Sequence, residues 1–234
     1  MISVCLATYN GEKYLREQLD SILSQLSEND EIIVSDDGSK DATINIIKSY
    51  NDNRIHLYQN QGEHGVVANF ENTLSKANGD YIFLSDQDDV WLDGKIAKSL
   101  VYLKEYDLVI HNAHVNYQDG SHSNVDYYTI RNSGTGYIKN LWKNTYLGCC
   151  MAFKKKVLGY VLPFPKNILW HDMWIALMVE LKGNTKFIDE IYLNYRRHGD
   201  NASASSEKST FSKWFQFKYR MFFLYNTLKR AYFH

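Results

Sequence analysis

Short apolar runs alternate with segments of helical period through the first half of the chain. Ile2–Leu6, Glu31–Ser35, Ile55–Tyr58, Tyr81–Leu84 and Leu108–Ile110 have the length and composition of buried strands. Between them, Tyr14–Gln25, Asp41–Tyr50, Val66–Ala77 and Gly94–Glu105 carry helical patterns; Leu15, Leu19, Ile22, Leu23 and Leu26 form one apolar stripe with Tyr14. Asp41 or Ser39 is placed to cap the second helix. Strand–helix alternation predicts an α/β fold with a mostly parallel central sheet flanked by helices. Ligands of such sheets bind outside the carboxyl ends of the strands.

The second half is less regular. Residues 116–134 read as one polar loop, with Asp119-Gly120-Ser121 and Asn132-Ser133-Gly134 as turn signals. Tyr146–Phe153 and Ile188–Tyr195 predict strands, and Asp172–Leu181 predicts a helix after a loop holding Pro163 and Pro165. Arg196–Glu207 reads as a small-residue linker. Residues 208–234 predict a basic, aromatic helix without a single acid. It either lies on a membrane surface or packs on protein.

Composition narrows the function classes. A net charge of −1 gives no footprint for nucleic acid. Three cysteines, Cys5, Cys149 and Cys150, lack zinc spacing and an even count, which points to a reducing compartment without disulfides. No signal peptide precedes the first predicted strand, and no stretch reaches the ~20 apolar residues of a membrane span. The expected location is the cytoplasm, or peripherally the inner face of the cell membrane if the tail binds lipid.

The chemistry concentrates at predicted strand ends. Thr8-Tyr9-Asn10-Gly11 follows the first strand, Asp36-Asp37-Gly38-Ser39 the second, and Asp86-Gln87-Asp88-Asp89 the fourth. All three fall on one edge of the sheet, which argues for a composite site. Clustered carboxylates repel one another and are costly to desolvate, so a divalent cation is the usual compensation. In extended backbone Asp86 and Asp88 share a face, and oxygen ligands suit Mg²⁺ or Mn²⁺. Asp89 points elsewhere or caps the following helix.

These clusters, with Gly148-Cys149-Cys150, His171-Asp172-Met173-Trp174 and Tyr195-Arg196-Arg197-His198-Gly199, occur in an order that resembles the family 2 glycosyltransferases. The resemblance spans about residues 1–200 and is nearest to a bacterial rhamnosyltransferase-like branch that builds O-antigen and capsule. It implies a GT-A (nucleotide-diphospho-sugar transferase) fold over 1–207, divided into a nucleotide-binding half (1–115) and an acceptor-side half with a lid (116–207). It implies an inverting, Mn²⁺- or Mg²⁺-dependent transfer from dTDP-rhamnose or a UDP-hexose to a glycan or lipid-linked acceptor.

Residue by residue, the resemblance makes Asp172 the catalytic base and Asp88 the metal ligand, with His198 completing the metal shell. It gives the nucleotide to Ala7, Thr8, Tyr9, Asn10, Asp36, Asp37, Asp86 and Gln87. Arg196, Arg197, Gly148, His171 and Trp174 fall to the diphosphate and acceptor. His171 stands where many relatives have Glu; it either tunes Asp172 electrostatically or touches the acceptor. Gly148 is expected to let the sugar approach. His111 and His114 sit on a strand at a spacing that does not converge, and the cysteines read as packing residues. Rival readings are a polyprenyl-phosphate sugar transferase, a metal-dependent phosphotransferase or nuclease, and a silent nucleotide- or glycan-binding module. The absence of a P-loop weighs against the phosphotransferase.

Overall fold

The computed structural model describes residues 1–117, 121, 123–199 and 211–233. Eight strands form one sheet: β1 (Ile2–Thr8), β2 (Glu31–Asp36), β3 (Ile55–Gln59), β4 (Tyr81–Ser85), β5 (Val90–Trp91), β6 (Leu108–Tyr117), β7 (Met151–Lys154) and β8 (Thr185–Arg197). Their order is β3-β2-β1-β4-β7-β6-β8-β5. The first four pair in parallel, as do β6 and β8; β7 runs antiparallel to β4 and β6, and β5 antiparallel to β8. The helices are α1 (Leu15–Leu23), α2 (Thr43–Ser49), α3 (Val66–Leu74), α4 (Lys95–Leu103), α5 (Tyr127–Arg131), α6 (Tyr137–Trp142), α7 (Leu158–Val161), α8 (His171–Lys182) and α9 (Lys213–Phe233). Among the described residues, no helix is long and apolar enough to cross a membrane.

The predicted first half forms where the periodicity places it. β1 and β2 are buried on both faces, as parallel strands between helix layers must be. α8 is buried continuously from Met173 to Val179. A helix apolar all round belongs in a core, and α8 lies there.

The second half departs from its prediction. Residues 116–134 are not one loop: β6 continues to Tyr117, and α5 starts at Asp126, whose carboxylate accepts from the Thr129 amide at 2.8 Å. The Asp119-Gly120 turn signal lies outside the described residues. Tyr146–Phe153 is not one strand either, because Gly148–Cys150 winds into a 3₁₀ turn and extended backbone begins at Met151. β8 is longer than predicted, so Arg196 and Arg197 end a strand rather than open a linker. The lid expected after Gly199 lies outside the described residues. Asp89 is no N-cap: Gly94, at φ 86°, begins α4.

Candidate active site

The site grows from the carboxyl ends of β1, β2 and β4. Gln87 clamps the first loop to the acidic motif: its Oε1 accepts from the Tyr9 amide at 2.9 Å, and its Nε2 donates to the Tyr9 carbonyl at 3.0 Å. That clamp needs a glycine at position 11, because a Cβ there would sit 2.3 Å from Gln87 Oε1. Asn10, in the left-handed region at φ 47°, ties the same loop to the next by accepting from the Lys40 amide. Tyr9 is left more than half exposed above Ala7 and Thr8.

The two acids after β2 do different work. Asp36 is fully buried and holds its own turn, accepting from the amides of Gly38 and Ser39 and from Thr8 Oγ1. It does not line the cleft. Asp37 does, and it is steadied by Asn60 Nδ2 at 2.8 Å, the Gly65 amide at 2.7 Å and His64 Nδ1 at 3.0 Å. Of the pair expected at the nucleotide, only Asp37 is within reach of a ligand.

The acidic motif splits by depth. Asp86 and Asp88 line the cleft, whereas Asp89 is fully buried and accepts from the Arg196 amide at 2.9 Å, leaving its second oxygen without a hydrogen bond. Burial pushes the Asp86 carboxyl up to about 7, with Asp88 and Asp172 adding to the rise. Burial also raises Asp89 well above the usual carboxylate range, helped by Asp88 and Asp86. Asp88 is raised by burial and held back by His198, whose Nε2 lies 2.8 Å from Asp88 Oδ2. Burial is the largest cause of all three rises, so each carboxyl holds its charge at a cost.

Lys95 is the partial answer, and the sequence reading passed over it. Its ammonium is fully buried, donates to the Cys149 carbonyl at 2.7 Å and stands 3.8 Å from the centre of the Trp91 ring. Burial draws its pKa down to about 8, opposed by negative charge that includes Asp89 and Asp86, so it stays protonated at neutral pH. A cation in the first turn of a helix opposes the helix dipole, and that was the one sequence clue. Replacing Lys95 by Met is expected to cost stability. The Cys149 carbonyl loses its donor and two buried acids lose their cation, a change that costs about 1–3 kcal/mol for the unpaired polar group alone. A urea denaturation midpoint that does not fall would show that the cluster needs no internal cation.

Across the cleft, α8 begins with His171 and Asp172. Asp172 is half-buried, lines the cleft and accepts from the Met173 amide at 2.7 Å. Burial raises its carboxyl to about 6 against that hydrogen bond. Gly148 makes this approach possible: a Cβ there would lie 3.2 Å from Asp172 Cβ and 3.4 Å from His171 Nε2. Gly148 itself lines the cleft, with the start of α8 packed against it. His171 stacks on Phe70 with ring centres 4.0 Å apart, and burial drives its pKa down to about 3. It is therefore neutral, which removes the charged tuning of Asp172. Other atoms of His171 line the cleft, but its Nε2 is buried and without a hydrogen bond.

Besides Asp36, the expected site residues Asn10, Trp174, Arg196, Arg197 and His198 do not line the cleft. Trp174 is fully buried and donates to the Val161 carbonyl, so it is core and not acceptor site. The Arg196 guanidinium pairs with Glu17 at 2.7 Å and lies over Tyr14. Tyr14, read only as a helix residue, also stacks on His198 at 4.9 Å and so fixes the end of β8 beside Asp88. Cys149 and Cys150 are buried, in keeping with a packing role.

One open cleft of ≈ 1310 Å³ joins these parts, with Tyr9 and Asp37 bordering it alongside Asp86, Asp88 and Asp172. The family model described as glycosyl transferase family 2 matches residues 3–162, more than half of the chain. The chain belongs to glycosyltransferase family 2. Among curated relatives, the putative teichuronic acid biosynthesis glycosyltransferase TuaG of Bacillus subtilis is 25% identical over 223 residues, covering 93% of this chain and 87% of TuaG. An uncharacterized Mycobacterium tuberculosis protein is 29% identical over 205 residues, 84% of this chain, which spans 59% of that protein's length. The transferase fold agrees: TarS 1–349 of S. aureus, solved in complex with UDP-GlcNAc, superposes with a TM-score of 0.75 at 19% identity, over 99% of this chain and 67% of that one. The Pyrobaculum calidifontis mannosyltransferase PcManGT, solved with GDP-Man and Mn²⁺, gives 0.61 at 21% identity, over 81% and 54%. The GT-A fold expected of the family is the fold found.

Among the described residues, one group of side chains could meet at a cation. Asp86, Asp89 and Cys149 place ligand atoms within 4.8 Å of one another. A thiol in an otherwise oxygen-rich set fits Mg²⁺ or Mn²⁺ poorly, and Lys95 already lies on that buried side. Asp86 and Asp88 line the cleft and offer the oxygen donors such an ion prefers; His198, whose Nε2 lies 2.8 Å from Asp88 Oδ2, does not line it.

Proposed function

We propose that this chain is an inverting, metal-dependent glycosyltransferase. It moves a sugar from a pyrimidine nucleotide-diphosphate sugar to a glycan or lipid-linked acceptor in bacterial surface polysaccharide synthesis, at the cytoplasmic face of the membrane. The observation that carries the reading is the shared cleft: the Asp86/Asp88 pair and Asp172 face one space, close enough for Asp172 to raise the Asp86 pKa.

In this reading the Tyr9 ring stacks on the base and Asp37 accepts its N3–H hydrogen, which selects a pyrimidine over a purine. The neighbours differ in nucleotide, UDP-GlcNAc in TarS and GDP-Man in PcManGT, so the fold alone does not choose. dTDP-rhamnose is the first candidate from the motif resemblance, and a UDP-hexose the second. Asp88, with Asp86 and His198 nearby, would hold Mn²⁺ or Mg²⁺, which would supply Lewis-acid neutralisation of the leaving diphosphate.

Asp172 takes the proton of the acceptor hydroxyl as that oxygen bonds to the anomeric carbon. The bond from that carbon to the diphosphate oxygen breaks on the opposite face, and the configuration inverts. His171, neutral beside Asp172, forms part of the cleft wall on the acceptor side.

Thermal melting with UDP, dTDP and GDP, each with and without Mn²⁺, tests this. UDP or dTDP with Mn²⁺ is expected to raise the melting temperature most. Ligand at about 100 times its Kd adds about 2.7 kcal/mol of stability. Preferred stabilisation by GDP would refute the base-recognition argument. Equal shifts with and without Mn²⁺ would remove the metal.

A further inference from the structure

α9 uses its two sides differently. On the inner side Phe223 and Thr227 are buried, and Tyr219 Oη accepts from the Leu169 amide at 2.9 Å. On the outer side Trp214, Phe217, Met221, Tyr225 and Tyr232 are exposed, with Trp214 and Tyr225 each at 64%. Their spacings of three, four, four and seven place all five on one stripe of a 21-residue helix. The aromatic residues therefore serve both sides of the helix: one set packs on protein and the other faces out.

Charge decides what the outer stripe meets. Lys218 lies over the Trp214 ring at 5.2 Å and Lys229 over Tyr225 at 5.8 Å. α6 extends the surface with Trp142, 68% exposed, whose ring carries Arg220 at 4.2 Å. Lys213–Phe233 contains no acid. Two copies meeting stripe to stripe would bring the Lys218 and Lys229 ammoniums of one against those of the other, which is repulsive. Aromatic rings flanked by cations and free of acids match the headgroup zone of an anionic bilayer.

We propose that the outer stripe of α9, with Trp142, docks on an anionic lipid surface. The inner side of the same helix ties that surface to the cleft. Tyr219 packs edge-on against Trp170 at 4.7 Å, and Leu169 and Trp170 line the cleft. Docking thus holds this rim within about one helix diameter, ~10 Å, of the headgroups, where a lipid-linked acceptor arrives. The acceptor part of this inference rests on the transferase reading; the docking does not.

Flotation with vesicles of phosphatidylcholine, with and without phosphatidylglycerol, tests it. The protein is expected to float with the anionic vesicles only and to be released by salt. The combined variant Trp214→Ser, Phe217→Ser, Met221→Ser, Tyr225→Ser should lose more than about tenfold in bound fraction while keeping its melting curve. Lys218→Gln with Lys229→Gln, which leaves every apolar contact in place, should weaken binding and its salt sensitivity together. Failure of the unaltered protein to float, or full binding by the four-residue variant, overturns the proposal. So does a solution dimer dissolved by that variant without flotation, which would assign the stripe to a second copy. The nucleotide-induced melting shift, measured on the same samples, keeps the two readings apart. If flotation persists where UDP, dTDP and GDP all fail to shift melting, the docking stands and the transferase reading falls.

Discussion

Asp172→Asn is expected to lower sugar transfer by about 10²–10⁴, the usual share of a general base, while the nucleotide-induced melting shift stays near that of the unaltered protein. The substitution is nearly isosteric, and an amide oxygen can still accept from the Met173 amide that Asp172 now engages. Only the proton acceptor is lost. The pH profile carries the same assignment. The base works ionised, and burial sets its pKa at about 6, so the rate should rise with pH through about 6 and level off above it. Fold stability runs the other way. A carboxyl raised above its unfolded value favours the fold most when protonated, so this contribution is lost as pH rises through about 6. Transfer and nucleotide affinity falling together in the variant would make Asp172 a structural residue of the α8 start.

Asp88→Asn is the second large expectation. It removes one ligand charge and leaves His198 Nε2 facing an amide instead of a carboxylate. Turnover should drop by about 10²–10³, as when one preorganised electrostatic contact is lost at a transition state. The Mn²⁺-dependent part of the nucleotide melting shift should fall with it. Because burial penalises the charged form of Asp88, the metal-free variant should be no less stable than the parent. Activity that survives EDTA in the unaltered protein would sink the metal assignment outright.

Local pattern determined the first half of this protein. Apolar runs bounded by turn residues can form little but strands, and the stripes between them little but covering helices, so β1 to β4 and α1 to α4 were legible from periodicity. The acidic motif and the loops after β1 and β2 were legible too, because strand ends in an alternating fold must gather on one edge. What the tertiary structure decided were features with no local signature. β5 is two residues long and exists because Val90 and Trp91 pair with Asn194 and Leu193, more than a hundred positions away. Asp36 and Asp37 look alike in sequence, yet burial and turn geometry give one to the loop and the other to the cleft. Trp174 and Arg196 sit in motif positions, but α8 is packed on every side and takes the tryptophan into the core, and Glu17 with Tyr14 holds the guanidinium away from the cleft. Lys95 reads as an ordinary helix cation until α4 packs it beneath the carboxyls of Asp86 and Asp89. Periodicity reports which side of an element is buried; only packing reports what it is buried against, and the charges of this site are set by that.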